Sequence, residues 1–501
     1  MSRLLLRRAR LGGVVQDVLL DGGRVTAVGT DLAAADVLDL DGAVLLPGLV
    51  DGHVHLEQWA AARQRIDVSA AGSAAVAAAL VAAALVAAAL PDGAPGGFVV
   101  GQGFRDALWP EPASAAVLDA ALPGVPVVLI SGDLHTAWCS TVAAHLLGVR
   151  EPSGVVREHE AMEVFARAAG AAPAVVDRWV FDAAAAAAAR GVTAVTDFEY
   201  GDLVTDWARR AALAPGGPPL RVRTAVYVDR LEATIAAGLR SGDPLPGVTD
   251  AVAADRLRVG PLKVFVDGSL GTRTAFCDRP YPGLTGPEAH GLLRTPPAEL
   301  ARLLRRAADA GLDRSVHAIG DRAVAVALDG FAAAGVTGRV EHAQQVHAAD
   351  LPRFAALGVV ASVQPRHAVD DRDAADLHWA GATARAFPYR ALADAGAELV
   401  LGSDAPVAPL DPWDGIAAAV HRSLDARDAW HPEQHLDLDT ALAAASGGRR
   451  GVQVGDVADL VVVAEPPATV LARDGAAGLR TTQVLATLVG GRTTHRSAAL
   501  G

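Results

Sequence analysis

Cysteine is nearly missing from this chain: Cys139 and Cys277 are the only two in 501 residues. Two thiols cannot build a disulfide framework or a four-cysteine zinc module, and they fit a reducing cytoplasm. Four Tyr and two Met beside abundant Ala, Gly and Arg point to a GC-rich coding bias that carries no mechanism. Positive charge is also in deficit, with 44 Lys and Arg against 57 Asp and Glu and a net charge of −13. A general nucleic-acid binder would want a basic face, so that class is set aside. Long membrane-type runs are lacking as well. The three Leu between arginines in Met1–Arg10 fall far short of a signal-peptide core. The apolar block Ala70–Leu90 is mostly Ala and Val, a weak candidate for insertion and a better one for a packed helix. With 51% hydrophobic and 20% charged residues, the expectation is a cytoplasmic globular protein. It would have a large core, no membrane or nucleic-acid partner and a small-molecule substrate, and a homo-oligomer is compatible with this composition.

What is present is a repeated strand-then-helix texture. Strand candidates are Val125–Ile130, Ala194–Asp197, Leu220–Tyr227, Leu262–Val266, Ser315–His317, Val340–His342, Val359–Val363 and Glu398–Leu401. Ala/Leu/Arg-rich helices fall between most of them, at 176–190, 298–310, 321–334 and 348–357. Repeated β-then-α over this length means a parallel sheet. Polar residues gathered at strand C-terminal ends favour a closed (β/α)8 barrel, whose βα loops converge on one face. Short strands with turns at Asp21-Gly22-Gly23 and Asp41-Gly42 open the chain, and Leu460–Val463 and Val484–Leu488 close it in the same texture. The expected organisation is therefore a discontinuous β-sandwich domain from residues 1–48 and 452–501 around a barrel at 49–451. Residues 57 to about 130 are too long for a first βα unit and read as an insertion near the mouth.

The candidate site begins where Leu45–Val50 runs into Asp51-Gly52-His53-Val54-His55. On a strand, i and i+2 share a face, so His53 and His55 project side by side as half of a site for Zn²⁺ or a similar ion. With 15 His in the chain, chance supplies roughly 0.5 such pairs, so the motif alone carries little. Four later strand ends supply the rest: Lys263, His317, His342 and Asp404. Singly, a strand-end His is usually a hydrogen-bonded core residue and a Gly-Ser-Asp is usually a helix cap. Lys263 inside an apolar run is harder to dismiss, because a buried ammonium is costly unless paired or altered. The conjunction is specific, since in a barrel all six can face one point.

The order His-x-His, Lys, His, His, Asp resembles the amidohydrolase superfamily, and the finer wording is similar to its amidohydrolase-3 branch. That branch is the YtcJ-like group that includes N-substituted formamide deformylases. The matching pieces run from Pro47–Leu56 through Gly101-Gln102-Gly103-Phe104, Trp109-Pro110 and His135-Thr136-Ala137-Trp138. They continue through Val264–Ala275, His317–Asp321, Glu341–Gln344, Gln364-Pro365, Gly402–Val407 and Gly455–Asp459. The resemblance implies that His53 and His55 hold the more buried ion with Asp404. It implies that His317 and His342 hold a second ion where one is present, with Lys263 bridging the two if carboxylated. A one-metal site with unmodified lysine is the alternative.

From this follows an expected metal-dependent hydrolysis of a non-peptide C–N bond, with metal-activated water as nucleophile, Asp404 as general base and acid, and His317 and His342 at the reacting centre. Opening of a cyclic amide or lactone, ring deamination, or a non-catalytic binding role are the other readings of the same ligand set. His135, Trp138, Asp267, Arg273, His367 and Trp109 are candidate substrate residues, whose plainer reading is loop structure. After Trp138 the branch usually has x-Asn-Ser, where this chain has Cys139-Ser140-Thr141. Ser140 in the Asn place leaves the metal ligands alone but bears on the loop's hydrogen bonding.

Overall fold

A computed structural model describes residues 3–88, 97–168, 170–425 and 427–500. The repeated texture becomes eight parallel strands: β1 (Leu49–Val54), β2 (Val192–Asp197), β3 (Arg221–Tyr227), β4 (Leu257–Phe265), β5 (Arg314–Ala318), β6 (Gly338–His342), β7 (Val359–Val363) and β8 (Leu399–Leu401). Each pairs in parallel with the next around the sheet. Just past β8, Ala405 forms a parallel bridge to Val54 of β1, which closes the ring. The strands are apolar on both faces because side chains fill the interior and helices cover the outside.

The helices are shaped for that cover. In Pro297–Asp309 the spacing of Leu300, Leu303, Leu304 and Ala307 puts all four on one buried face, with Pro at the first turn. Each buried Leu contributes about 1.5–3 kcal/mol of transfer free energy. The face seats against Asp321–Ala334 where Gly330 leaves room: a Cβ there would lie 2.7 Å from Leu300 Cδ2.

Both chain ends join one eight-stranded sheet, in which Val44–Pro47 pairs antiparallel with Leu460–Val463. This sheet wraps its own core of Leu6, Val18, Leu38, Leu45, Leu460 and Leu488. Among the described residues no helix is long and apolar enough to cross a membrane. The Ala-rich block forms the helix Ala74–Ala88, buried through Ala74, Ala77, Ala78 and Val81. The end of that block, Ala89 and Leu90, lies outside the described residues, as does the rest of 89–96 in the expected insertion.

Two expectations need correction. The strand expected at Val125–Ile130 forms as Val127–Ser131 but is not a barrel strand; it pairs with Val99–Phe104 and with Thr136–Cys139. Every residue in it is buried, so its pattern matches that of a barrel strand. It belongs to a separate five-stranded sheet between β1 and β2, which continues to Arg157. The inserted layer is accordingly longer than 57–130.

Two ionic contacts tie this layer to barrel loops. Arg105 donates to Asp371 (3.2 Å), to Asp370 (3.3 Å) and to the Val407 carbonyl (3.4 Å). Glu158 accepts from His135 (3.1 Å) in its own layer and from Arg294 (3.0 Å) of the barrel. Burial disfavours charge on both partners of the His135–Glu158 pair, but attraction prevails: His135 is raised above its usual pKa and Glu158 is lowered to about 2. A raised His stabilises below its unfolded pKa and loses that contribution as pH rises through the folded value. The depressed carboxylate stabilises above its unfolded pKa of 4.5 and loses that as pH falls toward about 2. The His135→Gln/Glu158→Gln double-mutant cycle in thermal stability is therefore expected to give a coupling of the order of 1 kcal/mol near pH 5.5. It should fade as pH rises through the folded pKa of His135 and as pH falls toward about 2, and equal coupling across that range would contradict the ion pair.

Candidate metal centre

Barrel closure and the site are built by the same backbone. Asp404 N–H donates to the His53 carbonyl (2.7 Å) and His55 N–H to the Ala405 carbonyl (2.8 Å). Asp51 Oδ1 accepts from His53 N–H (3.1 Å) and from Ser403 N–H (3.0 Å), clamping the two strand ends together. Glycine is required at the contact, because a Cβ on Gly402 would meet the His53 nitrogen at 2.8 Å. Asp404 (φ 57°) and His342 (φ 75°) occupy left-handed backbone that side chains rarely adopt. Such strain persists only where surrounding contacts hold it and gathers at functional sites.

The side chains converge. His53 Nε2 and His55 Nε2 lie 3.4 and 3.3 Å from Asp404 Oδ1. His53 donates its Nδ1–H to Glu341 Oε2 (2.8 Å), which leaves the Nε2 lone pair facing the site. Glu341 is fully buried and also accepts from Ser315 (2.5 Å). Burial would raise its pKa, but Arg339 and His53 hold it well below the usual carboxylate range. Burial, with Lys263 nearby, pushes His53 down to about 4, so the ring is neutral and able to ligate. Asp404 stays ionised despite burial because His53, His55 and His342 surround it.

Lys263 is buried, 3.5 Å from His53 Nε2 and 4.2 Å above the Phe198 ring. Burial brings its pKa down to about 8. His317 and His342 stand with ring centroids 4.5 Å apart, and burial keeps both neutral. His317 commits its Nε2–H to the Gly268 carbonyl (3.1 Å). The ligand atoms of His53, His55 and Asp404 lie within 4.8 Å of one another, and so do those of His342, His367 and Asp404. His55 Nδ1, His342 Nδ1 and His367 Nε2 are buried without a hydrogen-bond partner. Imidazoles and a carboxylate with orphaned nitrogens fit a borderline divalent ion.

The substrate candidates divide. His367 joins the centre, with Nε2 3.8 Å from Asp404 Oδ2. Asp267 is buried beside it but is occupied by the backbone N–H groups of Ile319, Gly320 and Phe276, and burial raises it to about 7. It shapes the loops after β4 and β5. Trp109 and Trp138 pack edge to face in the core of the inserted layer with Phe104, so they stiffen that layer instead of walling the centre. His135 is taken by Glu158, and Arg273 is exposed at a left-handed turn. Ser140 is a buried helix N-cap: its hydroxyl accepts from Val127 and Ala143 and donates to the Val125 carbonyl. The loop's hydrogen bonding is met without the usual Asn.

Sequence reasoning missed Glu341, Gln344 and Glu199. Glu199 is buried beyond β2, bonded to Gln58 N–H (2.8 Å) and near enough to His55 for their charges to interact. The signal was available, since each is a polar residue within or just past a barrel strand end, the position already used to find the ligands.

Residues 36–495 match the model of an amidohydrolase family, and the chain belongs to that family. Protein LONG AFTER FAR-RED 3 of Arabidopsis thaliana is 29% identical, covering 91% of this chain and 83% of that protein. N-substituted formamide deformylase of Arthrobacter pascens is 26% identical, covering 95% of this chain and 94% of its own. An uncharacterised metal-dependent hydrolase from Pyrococcus horikoshii OT3 shares the fold with a TM-score of 0.74 at 24% identity, over 93% of this chain and 98% of its own. The family is that of the amidohydrolases, and the fold is shared with that metal-dependent hydrolase.

Glu341 fixes the His53 tautomer, so Glu341→Gln is expected to weaken binding of an added divalent ion at His53, His55 and Asp404 about 10- to 100-fold. Competition with a chromogenic chelator measures this, and unchanged affinity would remove Glu341 from the centre.

Proposed function

We propose that the chain hydrolyses a non-peptide carbon–nitrogen bond of amide or formamide type, with Zn²⁺ as the first candidate ion. One observation carries this reading: His53, His55 and Asp404 converge at the C-terminal face of the barrel with Lys263, His317 and His342 around them. The similarity to a formamide deformylase along nearly the whole chain supports the bond type. A bound divalent ion supplies a Lewis acid and a water of lowered pKa.

This chain's residues do the rest. Asp404 Oδ1 faces His53 and His55, while Oδ2 faces away from them toward His367. Oδ2 is the atom that takes the proton of the attacking water and returns it to the leaving nitrogen. Glu341 holds His53 in the ligating tautomer. Lys263, drawn down to about 8, has a neutral amine fraction, the form that carboxylation needs, and its carbamate would offer anionic oxygens between two ions. The site is buried, so charge–dipole interactions on a developing oxyanion are strengthened there.

Asp404→Asn keeps an oxygen ligand but removes the proton acceptor. It is expected to retain the ion and lower kcat by about 10²- to 10⁴-fold. The wild type, stripped of metal and reloaded with one equivalent of Zn²⁺, should be tested on N-substituted formamides, acylated amines, cyclic amides and lactones. Turnover of the first two classes supports the reading; near-normal activity of Asp404→Asn, or turnover of lactones alone, refutes it.

A further inference from the structure

Three segments past barrel strands enclose a cavity of about 360 Å³ that no residue of the metal centre lines. Cys277 and Arg279 come from the segment after β4 and Gln345 from the turn after β6. His378 and Trp379 come from the end of the helix Arg372–His378, which follows β7, and proline and alanine fill the spaces between. The volume is at the small end of what ligand pockets measure. The turn after β6 divides this cavity from the centre. Gln344 reaches His367 of the centre, with its amide 3.2 Å from Nδ1, whereas the next residue, Gln345, gives its side chain to the cavity. The backbone there is pinned, because Gln345 N–H donates to the Ile319 carbonyl (2.8 Å) and the residue bridges to Ala386.

Gln345 is 2% exposed, yet neither end of its amide has a hydrogen-bond partner among the described residues. Trp379 Nε1 is likewise buried without one. The Cys277 thiol and Tyr281 hydroxyl beside it are 3.7 Å apart, and that hydroxyl donates to the Ala275 carbonyl (3.0 Å). Two buried polar side chains left unpaired at one cavity are costly unless something binds them. We infer that the cavity is a binding site for a small organic carboxylate, held by Gln345, Trp379 and Arg279 on the other side of the β6 turn from the metal centre.

The lining chooses the sign of the ligand. No Asp or Glu lines the cavity, so a cation would find no counter-charge there. Burial pushes the Cys277 thiol up to about 12, which keeps it neutral, and burial with Arg273 nearby lowers His378 into its neutral form. Arg279 is the one charged lining residue, and no ion pair or hydrogen bond to another described residue holds it. Its guanidinium lies against Gly381, whose left-handed backbone (φ 73°) and missing side chain make the room: a Cβ there would stand 2.9 Å from Arg279 Nη1. A guanidinium can take both oxygens of a carboxylate, and the Gln345 amide and the Trp379 indole N–H supply further donors. The proline and alanine walls suit an apolar body on the ligand.

This site neither holds nor needs an ion, so its test stands apart from the hydrolysis proposed above. Isothermal titration of the full-length chain as purified, with benzoate and then benzylamine as probes, measures it. Benzoate is expected to saturate at one per chain, and benzylamine is expected not to bind. Arg279→Gln and Gln345→Leu should each weaken benzoate about tenfold or more, the cost of a lost hydrogen bond to a charged group. Arg279 is exposed, so its replacement leaves the fold intact and keeps the test valid where Gln345→Leu fails to fold. His55→Asn, which strikes the metal centre, should leave benzoate affinity unchanged. Four results overturn the inference: no benzoate binding, equal binding of benzylamine, an affinity unchanged in Arg279→Gln or in folded Gln345→Leu, or benzoate binding lost in His55→Asn. The last would place the carboxylate at the metal centre.

Discussion

The centre depends on the contact between the end of β1 and the turn after β8. Two backbone hydrogen bonds, from Asp404 N–H to His53 and from His55 N–H to Ala405, close the barrel, and three of the four residues they join carry metal-type side chains. Asp51 braces the same contact from below through His53 and Ser403. Ligand geometry is therefore fixed by closure itself: if the ring opened, His53 and Asp404 would part. A site set on converging strand ends is held more rigidly than one carried by loops alone.

Around that contact, electrostatics sorts the groups by charge state. Burial lowers His53, His317 and His342, whereas Asp404 raises His55 against its burial, and Asp404 itself stays ionised despite burial beside His53, His55 and His342. Glu341 is the paired exception, a fully buried carboxylate kept charged by Arg339 and His53. Before any ion arrives, His53 and His342 face the anion as neutral imidazoles while His55 favours its proton, which a divalent ion must displace to bind there.

Much of this was legible in the sequence. Period-two reasoning placed His53 and His55 on one face, and strand-end position found Lys263, His317, His342 and Asp404. The barrel strands from Ala194 onward were located to within a few residues, because strands buried on both faces leave uninterrupted apolar runs. That property also misled: Val127–Ser131 is as apolar as any barrel strand, and only its ladder partners reveal that it lies in another sheet. Trp109 and Trp138 looked like a pocket wall because aromatic residues in motifs invite that reading, whereas their rings fill a small core of their own. Gln344 and Glu341 act on histidines carried by other elements, His367 and His53, and spacing along one strand does not disclose such partners.

The inserted layer separates β1 from β2 in sequence although the two strands are hydrogen-bonded neighbours. Among consecutive barrel strands this pair is thus the most widely separated in sequence, while β5, β6 and β7 pair across single helices. Loop-closure entropy grows only logarithmically with length, so the detour costs little stability, but high contact order slows the step that needs it. The barrel should assemble from its C-terminal half, where connections are short, and accept β1 late. The first two metal-type histidines would then be the last to arrive at a centre whose other members were already in place.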